Sequence, residues 1–245
     1  MLLWPAHQLA GLVMIMASWI SHWPGAQLLT GRPEAWVVAL LVLGLLPWLL
    51  GAERCCRRWS LLPMATALLV HGLVQLGDDL VAVERFGYHW LLARHRGRAA
   101  LVSAHGNARS CQMAQRLAAV HGHARLDWAM ILDPVATDVL PCWQELAHRV
   151  EASQQGRAPI AIGQVLRSIG LAVLRLQHPS GALLLRVGRQ RWQLFPSPQS
   201  LWTLQEQQRS EPWQVIKGIW LGFKPSASQR RWLLQHGASS RFIGL

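Results

Sequence analysis

Two carboxylates at the end of an apolar run are the first residues of this chain whose types and spacing could do chemistry. The segment LDWAMILDPVATDVLPCW, residues 126–143, places Asp133 directly after five apolar residues and Asp138 five positions later. Carboxylates suit Mg²⁺, but a two-metal hydrolase needs several of them at one point. Asp127 opens the same predicted strand and would lie about 20 Å from Asp133, since an extended chain rises ~3.3 Å per residue. The pattern therefore favours a site with too few ligands over a working metal centre.

Two other patterns contain histidine. His121 and His123 follow a predicted helix, where imidazoles are expected to face water and to interact favourably with the helix dipole, so we interpret them without a metal. Ser103 and His105 are close in sequence, but a serine nucleophile also needs an acid and an oxyanion hole. No motif for either is present, so the sequence predicts no catalytic residue.

Basic charge dominates the whole chain, which carries 24 Lys and Arg, 12 Asp and Glu, and a net charge of +12. Single-stranded nucleic acid is held by cations on its phosphates and by aromatic rings stacked on its bases. The candidates for such contacts lie at or near predicted turns and strand ends: Arg85, Arg94, Arg96, Arg98, Arg186, Arg189, Arg191, Arg230, Arg231, Trp90, Trp192 and Trp202. A solvated basic surface with tryptophans in the core explains the same composition equally well.

The elements that must position these residues follow an apolar segment, residues 1–76, with very few charges. It contains three apolar stretches, residues 2–20, 35–50 and 59–76, with tryptophans near their ends. A bilayer crossing needs about 20 apolar residues, and indoles favour the headgroup region. The stretches therefore predict membrane helices, with the lipid bilayer as a partner. A signal peptide for the first stretch and a buried helical hairpin are the alternatives.

The loop GAERCCRRWS between the second and third stretches carries three arginines. Positively charged loops stay in the cytoplasm, so this loop predicts that residues 77–245 lie on the extracytoplasmic side of a bacterial inner membrane. Cys111 and Cys142 could then form a disulfide, although each is also interpretable as a small buried apolar residue.

Residues 77–245 alternate short β-branched runs with amphipathic segments. DDLVAV, YHWLLAR, AALVSA and LDWAMIL predict strands, SCQMAQRLAAVHG predicts a helix, and Pro141 starts a second helix through CWQELAHRV before a loop at residues 151–159. A second cycle of four strands, a helix, a strand and a closing helix follows. Two such cycles predict an α+β domain built as an αββα sandwich.

This order of elements, together with several phrases, resembles the C-terminal portion of the ComEC family of DNA-uptake channel proteins. LLWPAHQLAGLVMIMASWISHWPGAQLLTGRPEAWVVALLVLGLLPWLL resembles the end of the family's membrane competence domain. DDLVAVERFGYHWLLARHRGRAALVSAHGN resembles the opening hairpins of its metallo-β-lactamase-like domain. The resemblance implies three membrane segments in residues 1–76 and an αββα domain in residues 77–245.

The metal-binding motifs are where this chain departs from the family. The motif H-x-H-x-D-H falls on LDPVATDV, so that Asp133 stands at the first His, Val135 at the second, and Thr137 with Asp138 at the D-H pair. Zinc in this fold needs converging imidazoles and a carboxylate, and valine ligates nothing. The family's T-G-D and H-H-G fall near FPSP and GFKPSAS, without ligands. The resemblance therefore implies a degenerate domain with no metal and no cofactor.

The function that follows from the resemblance is a membrane-anchored, non-catalytic component that guides or binds incoming DNA. Its expected partners are single-stranded DNA, the bilayer, and other channel subunits or a split upstream half. The alternatives are an active metal-dependent nuclease with a shifted site and a decayed or split channel fragment.

Overall fold

A computed structural model of the protein describes residues 33–49, 54–154, 158–176, 181–207, 217–236 and 241–243. The first apolar stretch, residues 2–20, lies outside these ranges. The second and third stretches form helices, as their patterns predict: α1 (Ala35–Leu49) and α2 (Arg54–Gln75).

The two helices pack against each other as a hairpin. A Cβ at Gly44 of α1 would stand 2.4 Å from Met64 Cγ of α2, so the absent side chain lets the helices approach closely. Trp48 Nε1 donates a hydrogen bond to Ser60 Oγ over 2.8 Å. Small residues at the contact therefore hold the helical hairpin together.

The outer surface of the helical hairpin exposes large apolar side chains. They are Trp36, Val38, Val42, Leu43, Leu45, Leu46, Trp48 and Leu49 of α1, and Trp59, Leu61, Leu62, Leu68, Leu69, Leu73 and Val74 of α2. Among the described residues, no helix combines the length and the apolar character that a bilayer crossing requires.

The first sheet follows the helical hairpin directly and has five strands in chain order. They are β1 (Asp79–Arg85), β2 (Tyr88–His95), β3 (Arg98–Ser103), β4 (Leu126–Pro134) and β5 (Ala147–Ser153). The first three are antiparallel, whereas β3, β4 and β5 are parallel neighbours. Parallel neighbours need crossovers, which α3 (Ala108–Val120) and α4 (Leu140–Leu146) supply.

The second sheet has six strands in the order β11, β10, β9, β8, β7, β6. They are β6 (Val165–Ser168), β7 (Leu171–Arg175), β8 (Leu183–Val187), β9 (Gln190–Phe195), β10 (Gly218–Leu221) and β11 (Arg241–Ile243). Strands β6 to β9 are antiparallel, and β9, β10 and β11 are parallel. The helices α5 (Pro198–Gln207) and α6 (Ala227–His236) accompany the parallel strands.

Alternating side chains build three apolar layers. The central layer lies between the sheets and includes Leu91, Val102, Trp128, Met130, Val173, Leu185, Trp192 and Trp220. A second layer packs the other face of the first sheet on α3 and α4, and a third includes residues of β9, β10, α5 and α6. The structure is thus an α+β sandwich of two mixed sheets with helices outside, in agreement with the predicted architecture.

One predicted element is wrong. The helix predicted from Pro141 through residue 150 ends at Leu146, and residues 147–153, partly predicted as loop, form β5. Pairing with β4, for example Val150 opposite Ala129, satisfies the backbone of this segment. Tertiary strand pairing therefore overrides the local helical pattern.

Candidate functional site

One end of the first sheet gathers the residues that could do chemistry. Strand β2 begins there at Tyr88, and β3 and β4 end there at Ser103 and Pro134. We call this end the upper edge, and it comprises the β1–β2 turn at residues 86–87 and the segments 103–107 and 133–138. Strand register brings them together, since Ser103 is paired with both Trp90 and Ile131.

His105 and Asp133 form a polar side-chain pair at the upper edge. His105 Nδ1 lies 2.8 Å from Asp133 Oδ2, and both side chains are exposed. The Tyr88 ring meets the imidazole edge to face, with centroids 5.1 Å apart, and Asn107 Nδ2 donates a hydrogen bond to the Tyr88 hydroxyl over 3.2 Å. Sequence reasoning missed this pair because its members are 28 residues apart in sequence.

The other positions that the ComEC resemblance assigns to a metal motif do not join the pair. Val135 packs against Gly106, where an added Cβ would stand 2.9 Å from Val135 Cγ2. Thr137 and Asp138 are exposed in the turn beyond β4. Within the described ranges, no three His, Cys, Asp or Glu side chains converge as a metal site would require.

Ser103 has a structural role. Its buried hydroxyl donates to the His105 carbonyl over 2.8 Å and lies 3.1 Å from Ser110 Oγ, which also accepts a hydrogen bond from Trp90 Nε1. Asn107 caps α3 by accepting from the Ser110 amide over 2.9 Å. These bonds hold the segment around His105 and do not activate Ser103 as a nucleophile.

A disulfide between Cys111 and Cys142 links the first turn of α3 to α4. Of the two interpretations of these cysteines, the structure contains the bonded one. Next to it, Trp143 Nε1 donates to the Gly106 carbonyl over 3.2 Å. The disulfide therefore connects the two helices that pack on the first sheet beside the upper edge.

Phe86 protrudes from the upper edge with 66% of its surface exposed. The guanidinium carbons of Arg85 and Arg109 lie 5.4 Å and 5.0 Å from its ring centroid, within cation–π distance. Its φ of 54° is unusual for a bulky residue and costs conformational energy. The turn thus presents an aromatic face flanked by two cations to solvent.

Three predicted nucleic-acid contacts lie where a nucleic acid cannot reach them. Trp192 is a core residue with 3% exposure, and Trp90 is equally buried. Arg94 is buried and donates to Asp79 Oδ2 over 2.6 Å. Trp192 is buried between the sheets and Trp90 between the first sheet and its helices, while a counter-ion at the adjacent strand explains Arg94.

The remaining predicted cations are exposed but scattered. Arg98 is bonded to Asp127 over 3.2 Å. Those at the far end of the strands or on other elements are Arg96, Arg186, Arg189, Arg191, Arg230 and Arg231, while Trp202 is exposed on α5. The structure does not bring these residues to the upper edge.

His121 and His123 are half-buried at the lower end of α3, contrary to the expectation that they face water. Burial, reinforced by the nearby Arg94, lowers the pKa of both imidazoles. His89, beneath the upper edge, also has a pKa lowered by burial, which outweighs the opposing effect of Glu84. All three side chains are therefore held toward the neutral form.

A cleft of about 340 Å³ opens between the two sheets beside Pro134. Its walls are largely apolar, but Arg175 lines it, with Nη1 bonded to the Ile160 carbonyl over 3.0 Å. Arg175 Nε is buried, and no acceptor for it lies among the described residues. Residues 152–205, which supply most of the cleft lining, contain no Asp or Glu.

No protein-family model and no curated protein matches the chain. Solved structures with a similar layout are metallo-β-lactamases. The Cronobacter sakazakii enzyme with a HARLDQ motif has 12% identity over 68% of this chain and 95% of its own, with a TM-score of 0.44. The subclass B3 enzyme BJP-1 of Bradyrhizobium japonicum has 11% identity over 60% and 76%, with a TM-score of 0.42. At these values the likeness concerns layout alone, and the ComEC resemblance stays a prediction.

Proposed function

We propose that this protein is a membrane-associated binding protein whose α+β domain holds incoming single-stranded DNA at the upper edge without hydrolysing it. The observation that carries the proposal is the exposed Phe86 ring in contact with Arg85 and Arg109. Single strands bind where a base can stack on an aromatic ring while cations hold the neighbouring phosphates. The cleft lined by Arg175 adds a further cation that would bind a phosphate.

The non-catalytic part of the proposal depends on residue types. A catalytic zinc needs three protein ligands, and at the upper edge the motif positions hold Val135 and Thr137 in place of donors. The pair of His105 and Asp133 supplies two groups, which bond to each other. This arrangement supports binding more than hydrolysis.

The membrane part of the proposal is supported by the helical hairpin. Its exposed apolar side chains would be removed from water by a bilayer or by partner helices, such as those of other channel subunits or a split upstream half. The disulfide between Cys111 and Cys142 supports an extracytoplasmic position, because disulfides persist in oxidising compartments. We therefore place residues 77–245 on the outer side of a bacterial inner membrane.

The test measures binding of fluorescent oligothymidine to the detergent-solubilised full chain by anisotropy. Phe86→Ala should raise Kd about fivefold to 150-fold, because one stacked base contributes about 1–3 kcal/mol. Trp202→Ala is the matched control, since this tryptophan is exposed on α5 and should leave Kd nearly unchanged. Equal weakening by both substitutions would contradict the assigned position.

The same preparation tests hydrolysis. Incubation of labelled DNA with the full chain and added Mg²⁺, Mn²⁺ or Zn²⁺ should release no nucleotides. Release that disappears in an Asp133→Ala, Asp138→Ala variant would instead establish the metal-dependent nuclease.

A further inference from the structure

Three turns meet at the end of the sandwich opposite the upper edge. They contain Arg96 with Gly97, Ile169 with Gly170, and Gly188 with Arg189, and we call them the basal turns. The Gly188 amide donates to the Gly170 carbonyl over 2.7 Å, which joins two of them. One turn connects strands of the first sheet and two connect strands of the second, so both sheets contribute to this end of the sandwich.

His95 fixes the basal turns in place. Its Nδ1 lies 2.5 Å from Asp78 Oδ1, immediately before β1. A Cβ at Gly170 would stand 2.0 Å from the imidazole, and one at Gly188 would stand 2.2 Å from Asp78 Oδ2. Both glycines also have positive φ, at 74° and 57°. Only glycine allows this approach, which locks the turns against the junction with α2.

The acidic groups of the sandwich at this end have partners within it: Asp79 is paired with Arg94, Asp127 with Arg98, and Asp78 is hydrogen-bonded to His95. Glu34, just before α1, accepts a hydrogen bond from Trp36 Nε1 and lines a cavity with Arg94. Arg96 and Arg189 are exposed, and no ion pair involves either of them in the described part of the chain. Arg96 and Arg189 therefore contribute positive charge to the basal turns, which also contain Ile169 with 69% of its surface exposed.

The helical hairpin leaves the sandwich at the same end. Leu76, one residue beyond α2, is exposed, and its Cδ2 lies 4.0 Å from where a Cβ of Gly97 would stand. Ala35 and Val74, near the start of α1 and the end of α2, line one cavity with Arg94. The basal turns therefore lie next to the end of the helical hairpin at which its exposed apolar surface begins.

We propose that the basal turns dock the domain on anionic phospholipid headgroups, with Arg96 and Arg189 on phosphates and Ile169 at the edge of the acyl region. Arginine binds phosphate through a planar, bidentate fork. The inference rests on the proposed membrane association. It favours lipid over DNA phosphates because the positive surface is continuous with the apolar hairpin.

The test uses the full chain in nanodiscs made of phosphatidylcholine alone or with added phosphatidylglycerol, followed by hydrogen–deuterium exchange. Amides of all three basal turns should exchange more slowly in the anionic discs, while residues 86–87 exchange equally in both. Arg96→Gln with Arg189→Gln should weaken docking about thirtyfold, because each basic side chain near an anionic surface contributes roughly a fivefold factor. Arg116→Gln with Lys224→Gln removes the same charge elsewhere and should preserve the protection.

Three outcomes would overturn the proposal: equal exchange in both kinds of disc, protection that survives loss of Arg96 and Arg189, or protection that requires added oligothymidine instead of anionic lipid. The last would assign the turns to nucleic acid. A chain that does not co-elute with nanodiscs of either composition would instead contradict the membrane association itself.

Discussion

The backbone of Phe86 has a positive φ, a conformation that is most often found at glycine. Such strain persists where the surroundings enforce it, and here Gly87 and the two guanidinium contacts accompany it. Residues 86–87 form the two-residue turn between β1 and β2, and such turns require positive φ at both central positions. Arg96 and Gly97 have the same geometry in the turn between β2 and β3, so the hairpin itself explains the conformation of Phe86.

Gly106 is the residue on which the geometry of the upper edge depends most directly. An added Cβ would stand 2.9 Å from the Pro134 carbonyl and from Val135 Cγ2. Gly106→Ala should therefore lower the free energy of unfolding by about 1–3 kcal/mol, since overpacking displaces backbone. Thermal unfolding of the full chain in detergent, followed by circular dichroism, measures it.

The matched control is Gly72→Ala, in α2. A Cβ there meets nothing within 4 Å, and alanine favours a helix over glycine by about 1 kcal/mol. This variant should be as stable as the parent or more so. A Gly106→Ala variant with the same melting temperature as the parent would show that the segment around His105 accommodates the added Cβ without loss of stability.

At the scale of elements, α3 and α4 are held together by the disulfide between Cys111 and Cys142, which are 31 positions apart. Closing a loop of this size removes conformational entropy from the unfolded chain, typically worth about 2–4 kcal/mol. Reduction, or replacement of both cysteines by alanine, should lower the free energy of unfolding by that amount and so lower the melting temperature.

Reductant should leave the melting temperature of the Cys111→Ala, Cys142→Ala variant unchanged. If reductant instead lowers the melting temperatures of the parent and the variant equally, another group is responsible. Binding of fluorescent oligothymidine is a second readout, because Arg109, which contacts Phe86, belongs to the same first turn of α3 as Cys111.

At the scale of the whole molecule, buried neutral histidines make stability depend on pH. Burial lowers the folded-state pKa of His89, His121 and His123 from 6.5. The unfolded chain binds more protons between the lowered values and 6.5, so stability must fall as pH decreases through this window. The melting temperature should be highest near neutral pH and decrease below pH 6.5.

His123→Leu should reduce this dependence, because the Nε2 atom of His123 is buried and no hydrogen-bond partner for it lies in the described part of the chain. His148→Leu is the control, since this side chain is exposed. A pH profile that is identical in the parent and the His123 variant would contradict the contribution of this imidazole.

Local sequence patterns determined most elements of this protein. Short runs of β-branched and aliphatic residues predicted β2, β3, β4 and β6 to β10, because a strand between a sheet and a helix layer buries side chains on both faces. Strand β11 was not predicted. The absence of donor side chains at Val135 is also readable from the sequence, since it depends only on residue type.

Tertiary structure alone decided which residues meet. It paired His105 with Asp133, brought Arg109 to Phe86, buried Trp192 between the sheets, and turned residues 147–153 into a strand beside β4. A sequence pattern shows which face of a strand or helix a side chain lies on. It does not show which distant segment packs against that face. That partner is set by how the sheets and helices pack, so the position of a candidate site emerges only in the folded molecule.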